Sequence, residues 1–342
     1  MGKLLLAHTM AAAVAMGSQS KPVRARTRDQ WQTFDAQTID STGAFLVGEL
    51  ERLDPTIHEP LADVTWGRDI DLRSDVSIAD EVSSFSNATF AAAGGASPKG
   101  KSWVGKNADA IAGIALDIGK TAQPLTLWAM QLGWTIPELE SAKKLGRPVD
   151  TMKHTGLTLK HNMDVDEQVY IGDDVIGVEG LLNSSKVGAT NVNKKWKTAT
   201  ADEILDDVNM ILYNAWIASG FAVCPSKLLL PPEQFGLLVT RKVSDAGNIS
   251  ILEYIKVNCI SNAKNGKPLD IQPSKWCVGR GTAGTDRAMV YTQSESRVRF
   301  PMVPLQRTPI EYRDLRQLTT YFGRLGVVEF VYPETAYYAD GL

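Results

Sequence analysis

The stretch LKHNMDVDEQVYIGDDVIGVEGLLN, residues 159–183, places six carboxylates close behind or beside two histidines. The acids are Asp164, Asp166, Glu167, Asp173, Asp174 and Glu179, and the histidines are His154 and His161. Clusters of histidine and carboxylate side chains bind metal ions or carry out acid–base catalysis in many enzymes. The spacing of these residues therefore decides whether the stretch indicates a metal or catalytic site, or a protein that has neither.

That spacing argues against a metal site. His154 and His161 are seven residues apart on one predicted helix, whereas helical zinc pairs need an i, i+4 spacing. Asp173 and Asp174 follow Gly172 at the helix end and lack the alternating oxygen ligands of a calcium loop. The first three acids are spread around the helix, which indicates a solvated face or partners for cations on another chain. We predict no catalytic residue, no metal and no cofactor here.

Two further motifs fail on their context. GIALDIGKT (113–121) resembles a phosphate-binding loop, but five residues separate its glycines where the motif needs four, and the segment alternates like a strand. GRGTAG (279–284) matches G-x-G-x-x-G, yet the following DRAMVYT predicts a strand instead of the helix that a dinucleotide motif opens. With no nucleophile elbow either, the sequence predicts a protein that is not an enzyme.

Charge is distributed unevenly along the 342 residues. Residues 1–28 carry five cations and no acid, so the net charge of −3 leaves −8 on the remainder. A basic arm on an acidic body is typical of a tail that contacts a polyanion or an acidic neighbour, although a solvated tail would have the same composition. An apolar content of 44% supports a sizeable core, in two domains or in one with a large excursion.

The remaining composition bounds the compartment. Three cysteines, Cys224, Cys259 and Cys277, form no CxxC pair and indicate a reducing environment. No run of 18 apolar residues exists, so no membrane span is expected. Residues 1–17 resemble a signal peptide, but His8 and Thr9 interrupt the apolar stretch, which favours an Ala-rich helix.

Hydrophobic periodicity predicts an α+β fold, because strands and helices mix without βαβ regularity. Alternation in IALDI (114–118) and LTLWAMQLGW (125–134) predicts long antiparallel strands. The Gly- and Lys-rich residues 90–109 then form the flexible middle of an extended hairpin. Helices are predicted over 42–53, 137–145, 150–170, 200–219, 232–238 and 249–257, and strands over 227–230, 269–271, 288–292, 298–302 and within 317–340.

Two local details sharpen the helix predictions. In the second long helix, Met152, Leu159, Met163 and Tyr170 recur at helical spacing and are predicted to form its buried face. Thr200 and Glu203 match a capping box, which marks the start of the clearest helix in the chain.

The segment IGDDVIGVEGLLN (171–183) resembles the one that follows the spine helix in major capsid proteins of tailed bacteriophages. In both, a Gly-Asp pair precedes Gly-x-x-Gly-Leu-Leu-Asn. Four other stretches agree in the same order: RLDPTIHEPL (52–61), LLLPPEQFGLL (228–238), DRAMVYTQSESRVRFPMVPLQ (286–306) and FGRLGVVEFVYPETAYYADGL (322–342). The resemblance covers about residues 46–342.

This resemblance implies the Hong Kong 97-type capsid fold. Residues 1–40 would be the N-terminal arm and 64–135 the extended loop that lies over a neighbouring subunit. Residues 41–63, 136–175 and 314–342 would form the peripheral domain with its spine helix. Residues 176–313 would form the axial domain at the capsomer centre.

The implied function is self-assembly, through pentamers and hexamers, into an icosahedral shell around double-stranded DNA. The protein would be located in the virion capsid after assembly in the host cytoplasm. Implied partners are further copies, scaffold, portal and decoration proteins, and DNA bound without sequence specificity, with no membrane. Two alternatives stay open: an encapsulin-like compartment of the same fold that encloses enzymes, and a soluble enzyme that uses the carboxylates.

Seven residues are candidates for contacts in a shell: Lys21, Arg24, Arg26, Arg28, Trp103, Asp173 and Asp174. In an extended arm the three arginines point to one side, where they would meet phosphates or carboxylates together. Trp103, beside the hairpin tip, is either an anchor between subunits or part of its own core. The two aspartates are predicted to lie at a subunit interface.

Overall fold

The computed structural model describes residues 62–93, 106, 113–145, 149–243 and 248–342. Its helices are α1 Trp66–Asp69, α2 Ile136–Leu145, α3 Val149–Tyr170, α4 Ala201–Ala218, α5 Pro232–Thr240, α6 Ile251–Asn258 and α7 Ile260–Asn265. Its strands are β1 Asp71–Arg73, β2 Val82–Ala93, β3 Gly113–Pro124, β4 Thr126–Thr135, β5 Gly172–Asp173, β6 Val178–Glu179, β7 Gly188–Asn191, β8 Lys227–Leu230, β9 Asp270–Pro273, β10 Arg287–Tyr291, β11 Val298–Arg307, β12 Glu311–Arg313, β13 Arg316–Leu325, β14 Glu329–Phe330 and β15 Tyr337–Asp340.

A six-stranded sheet supports the long helix α3. Its strands run in the order β1, β11, β13, β12, with β4 paired to β13 and β14 paired to β11. β4 and β13 are antiparallel over ten residue pairs, from Arg316 opposite Thr135 to Leu325 opposite Thr126. Leu157 of α3 packs with Leu132 and Trp134 of β4, so the helix lies against this edge of the sheet.

A five-stranded mixed sheet, in the order β7, β15, β10, β8, β9, forms the second centre of the fold. Helix α4 covers it with a buried face that includes Ile204, Val208 and Ile211. The predicted capping box is confirmed: Glu203 N–H donates to Thr200 Oγ1 at 3.3 Å, and Thr200 N–H donates to Glu203 Oε2 at 2.7 Å. The predicted α+β mixture is likewise confirmed.

Strands β2 and β3 form a two-stranded antiparallel ribbon, in register from Val82 opposite Pro124 to Ala93 opposite Gly113. Within the described residues they pair only with each other. The long strands predicted from alternation are thus confirmed. The segment GIALDIGKT, which resembles a phosphate-binding loop, lies inside β3. Only Leu125 separates β3 from β4, which joins the six-stranded sheet, so among the described residues of segment 64–135 the two strands that stay outside the larger sheets are those of the ribbon.

The predicted buried face of α3 is wrong at Met152 and Met163, whereas Leu159 is half-buried and Tyr170 is fully buried. Met152 and Met163 are 36% and 45% exposed, whereas Val165 and Val169 are fully buried. The residues at 157, 161, 165 and 169 follow an i, i+4 spacing and face β4 and the six-stranded sheet. Which side of the helix is covered was decided by these strands, of which β11 and β13 lie far away in sequence.

Several predictions concern residues outside the described ones. They are the arm 1–40 with Lys21, Arg24, Arg26 and Arg28, the Ala-rich helix, the helix at 42–53, and Trp103. Among the described helices, none is long and apolar enough to cross a membrane.

Candidate assembly surfaces

The first candidate surface is one face of the β2–β3 ribbon. Opposite residues of an antiparallel pair share a face, and Phe90 lies opposite Leu116 while Ala88 lies opposite Ile118. Phe90, Ile114, Leu116 and Ile118 are 71%, 81%, 56% and 61% exposed. Since an isolated two-stranded ribbon is marginally stable and has no core, this apolar face is suited to another surface.

The opposite face of the ribbon is mostly polar. It carries Asn87, Thr89, Asp117 and Thr121, with Thr89 directly opposite Asp117, and Phe85, opposite Thr121 near the base, is half-buried. An amphipathic ribbon needs a partner on one side only, as a half-buried strand does in a sheet. The ribbon therefore has one apolar face and one mostly polar face.

The segment after α3 owes its shape to two glycines and one asparagine. Gly172 has a φ of +80°, and a Cβ there would lie 2.2 Å from Val178 O, while a Cβ at Gly180 would lie 2.5 Å from Ile171 N. Asn183 closes the turn, because its Oδ1 accepts from Gly180 N at 2.6 Å and its Nδ2 donates to Ile171 O at 2.7 Å. The glycines and the asparagine of this motif thus shape a tight β5–β6 hairpin.

The acids of the stretch are dispersed over separate partners. Asp164 Oδ2 accepts from Trp128 Nε1 at 3.0 Å, and its carboxylate pairs with Lys160. Glu179 Oε2 accepts from Ser185 N at 2.9 Å. Each of these two carboxylates is therefore held by its own partners within the subunit.

Asp166 corrects the expectation of a solvated or intermolecular acidic face. It is fully buried, and its Oδ1 accepts from the backbone N–H groups of Thr65 and Trp66 at 2.9 and 3.0 Å. Its Oδ2 accepts from Trp276 Nε1 at 2.6 Å and pairs with Lys275 at 3.4 Å. Donors about 100 residues away in either direction explain why a helical acid lies in the interior.

Asp173 and Asp174 line an open cleft of about 570 Å³ between α3, the start of β4 and the β5–β6 hairpin. Asp173 Oδ1 accepts from Val175 N at 2.8 Å, and Asp174 is exposed. Four acids, Asp164, Glu167, Asp173 and Asp174, and one cation, Arg280, lie among the lining residues. The cleft is therefore a negatively charged surface feature.

The two histidines lie apart in separate aromatic contacts. The ring of His154 packs edge-on against Tyr321 at 5.3 Å between centroids, and that of His161 packs against Trp128 at 4.8 Å. Burial lowers the pKa of His161, and the nearby Asp164 opposes that effect only in part. Across the described ranges, no three or more His, Cys, Asp or Glu side chains come together as a metal site would require.

The Gly-rich GRGTAG segment is a turn, and the strand β10 follows it as predicted. Thr282 N–H donates to Asp340 Oδ2 at 3.0 Å, and Gly281 N–H donates to Thr285 O at 2.7 Å. A Cβ at Gly281 would lie 2.6 Å from Thr285 Oγ1, so the glycine allows a close approach within the turn. These hydrogen bonds of the turn are therefore made within the subunit.

Buried charge networks, which were not predicted from the sequence, join distant segments. Asp69 of α1 is fully buried; it pairs with Arg68 Nε at 2.8 Å and Lys227 Nζ at 3.1 Å, and it accepts from the Tyr170 hydroxyl. Burial alone would raise the pKa of Asp69, but the bonds from Arg68 and Tyr170 and the charge of Lys227 hold it below its ordinary value. This network ties α1 to α3 and to β8.

A second network surrounds Glu329 of β14, and a third joins Asp340 to Arg287 at 2.7 Å. For two of these networks the sequence carries a signal, which is a charged residue at the start of an apolar run or within one. Lys227 opens KLLL, and Glu329 interrupts VVEFV. Such residues are rarely buried without a partner, so a charge within an apolar strand predicts a buried ion pair.

Solved phage capsids share this architecture. The capsid of Myoviridae phage XM1 aligns with a TM-score of 0.72 at 14% identity, over 88% of this chain and 100% of that one. The capsid of an empty GTA particle aligns at 0.54 and 12%, over 85% and 94%, and Mycobacterium phage Che8 at 0.54 and 11%, over 84% and 96%. At such identities the likeness defines the fold, which is the Hong Kong 97-type capsid fold.

The family itself follows from the sequence. The family model described as "Major capsid protein" matches residues 100–342, well over half of the chain, so this chain belongs to the major capsid protein family. No curated protein sequence matches it. The resemblance drawn from the motifs is confirmed, and the protein is a structural subunit of a capsid shell that self-associates in the virion.

Proposed function

We propose that this subunit forms pentamers and hexamers of an icosahedral shell that encloses double-stranded DNA, and that it has no catalytic role. The exposed apolar face of the β2–β3 ribbon carries this proposal. Burying each large apolar side chain stabilises by roughly 1.5–3 kcal/mol, and in a shell the surface that buries it is a neighbouring subunit. Assembly takes place in the host cytoplasm, with scaffold, portal and decoration proteins as partners.

We divide the chain as the resemblance implies: arm 1–40, extended loop 64–135, peripheral domain 41–63, 136–175 and 314–342, and axial domain 176–313. The long α3, packed on β4, supports a spine helix in the peripheral domain, and α4 on the five-stranded sheet supports a compact axial domain. Five strands cross these bounds. β1 and β4 of the extended loop and β11 and β12 of the axial domain lie in the six-stranded sheet, and β15 of the peripheral domain lies in the five-stranded one.

The encapsulin-like compartment remains the second candidate because its fold would be the same. The match to the major capsid protein family favours the virion shell. Purification followed by negative-stain imaging and nucleic-acid staining separates the candidates. We expect closed shells that hold nucleic acid when they come from an infected host. Closed shells filled with an enzyme would support the compartment, and small particles alone would contradict both.

The charged candidates form a second proposed contact. The arm cations, Lys21, Arg24, Arg26 and Arg28, are proposed to bind the acidic cleft of a neighbouring subunit, where Asp173 and Asp174 lie. Packaged DNA would use the same guanidinium groups, and its contacts would weaken as salt rises. Trp103 is proposed as an anchor at the hairpin tip, since aromatic residues dominate interface energies.

We expect the triple variant R24Q/R26Q/R28Q, expressed without genome packaging, to give fewer and less heat-stable empty shells. Each lost ion pair is worth only ~0–1 kcal/mol, but the loss repeats at every subunit. D173N/D174N should reproduce the defect. The triple variant K186Q/K195Q/K267Q removes the same charge from exposed lysines of the body and is the control. Empty shells of normal yield and thermal stability from the arginine variant would reject the clamp and leave DNA contact as the role of the arm.

A further inference from the structure

A buried carboxylate joins the base of the ribbon to the body of the subunit. Glu329 of β14 is fully buried, and Ser83 of β2 donates its hydroxyl to Oε1. Arg73 Nη1 of β1 lies 3.2 Å from Oε1, and Arg299 Nε of β11 lies 2.7 Å from Oε2. One side chain therefore receives donors from three strands, and one of these strands is half of the ribbon.

The same arginine also holds the ribbon directly. Arg73 Nη1 donates to Ser83 Oγ at 2.9 Å and to Ser84 O at 3.1 Å. Further along β2, Asn87 Nδ2 donates to Val331 O at 3.2 Å. Within the described residues, no hydrogen bond joins β2 to the body beyond Asn87, so the outer half of the ribbon is held only through its base.

The second leg of the ribbon is fixed next to the first. Leu125 N–H, just after β3, donates to Glu81 O at 2.9 Å. Arg324 of β13 donates to Leu125 O at 2.9 Å through Nη1 and to Ile78 O at 2.7 Å through Nε. Arg324 thus holds both chain segments that enter and leave the ribbon, while Arg73 and Glu329 contact β2 at Ser83 and Ser84.

We propose that Glu329, with Arg73 and Arg299, is a positioning site that sets the direction in which the ribbon leaves the subunit. The inference rests on the proposed function, in which the ribbon's apolar face binds a neighbour. A strand rises about 3.3 Å per residue, so a tilt of about 10° at the base would move the end of a twelve-residue ribbon by several ångströms. A displacement of that size would take the apolar face out of register with its binding surface.

A role in stability alone explains this network less well. Well-packed apolar side chains often stabilise an interior as much as a buried ion pair does, or more. A bifurcated set of charge-assisted bonds instead fixes the angles between the groups that it joins. Ser83, a polar residue buried at the foot of an otherwise free strand, is the group through which that geometry reaches the ribbon.

Distances between two spin labels test this positioning role. Asp117→Cys on the outer ribbon and Lys160→Cys on α3 are both exposed positions, and the three native cysteines are buried. The full-length labelled chain is diluted with an excess of unlabelled chain, so that only pairs within one subunit are measured. The labelled and the unlabelled chains both carry F90S/L116S, which removes the apolar contacts that a neighbour would make with the ribbon.

We expect Glu329→Gln and Ser83→Ala to broaden or shift the distance distribution. Asp340→Asn is the matched control, because Asp340 is also a buried carboxylate paired with an arginine, but in the five-stranded sheet. It should lower the thermal unfolding midpoint, as we also expect of Glu329→Gln, and leave the distances unchanged.

Distances that are identical in the parent, Glu329→Gln and Ser83→Ala would overturn the positioning role, as would an equal change in Asp340→Asn. Failure of the proposed function has a different signature. If F90S/L116S chains formed shells normally, the ribbon face would not bind the neighbour, yet the distances would still show whether Glu329 directs the ribbon.

Discussion

Replacing Phe90 and Leu116 with serine should leave a folded subunit that no longer forms shells. The two side chains lie opposite each other on the exposed face of the ribbon, so their loss removes little from the core of the subunit. At an interface their burial is worth about 3–6 kcal/mol together, which corresponds to a contact weaker by roughly 10²–10⁴-fold. Sedimentation and negative-stain imaging measure the shells, and circular dichroism measures the fold.

The control for this double variant is on the other face of the same ribbon. Thr89 and Asp117 lie directly opposite each other there, and T89S/D117S should assemble as the parent does. If F90S/L116S gave shells of normal yield and heat stability, the apolar face would not be the contact between subunits. If both double variants failed to assemble, the ribbon's own pairing would be the cause instead of its apolar face.

Asp69→Asn should be the most destabilising single change among the charged residues described above, at about 3–5 kcal/mol. The substitution keeps the size of the side chain but removes the charge that faces Lys227, which is only 2% exposed. The lysine's other acidic partner, Asp270, is 3.4 Å away and about half exposed, so it compensates poorly. Urea unfolding in the F90S/L116S background measures the loss without a contribution from assembly.

Two comparisons separate the lost pair from a general effect of the substitution. Glu140→Gln breaks an exposed pair with Lys143 and should cost no more than about 1 kcal/mol. D69N/K227M should recover part of the loss, because the uncompensated charge is removed as well. A change near zero for Asp69→Asn would mean that the buried network contributes nothing to stability.

The pH dependence gives a second readout of the same variant. The folded pKa of Asp69 is below the ordinary value of 3.8, because Arg68, Tyr170 and Lys227 favour the carboxylate more than burial disfavours it. A depressed pKa contributes stability that is present above 3.8 and is lost as the pH falls through the folded value. The free energy of unfolding should therefore fall in acid, and less steeply in Asp69→Asn. Asp340, whose pKa is also lowered, accounts for part of the remaining slope.

Features with local causes were predictable from the sequence. The capping box at Thr200 and Glu203 needs only residues three apart, and the strands β3 and β4 need only their own alternation. The hairpin after α3 was recognised as a motif, because Gly172 and Gly180 stand where any side chain would meet the backbone. These constraints act over a few residues, so they are visible in the letters.

The tertiary structure alone decided which surfaces are covered. The alternation of β3 and that of β4 indicate the same kind of strand. Yet β4 pairs with β13, about 190 residues later in the chain, whereas β3 pairs only with β2 among the described strands. Asp166 is buried because the N–H groups of Thr65 and Trp66 lie against it, and Met163 is exposed because β4 covers the other side of α3. Burial depends on partners that are distant in the chain, and periodicity within one element carries no information about where those partners will lie.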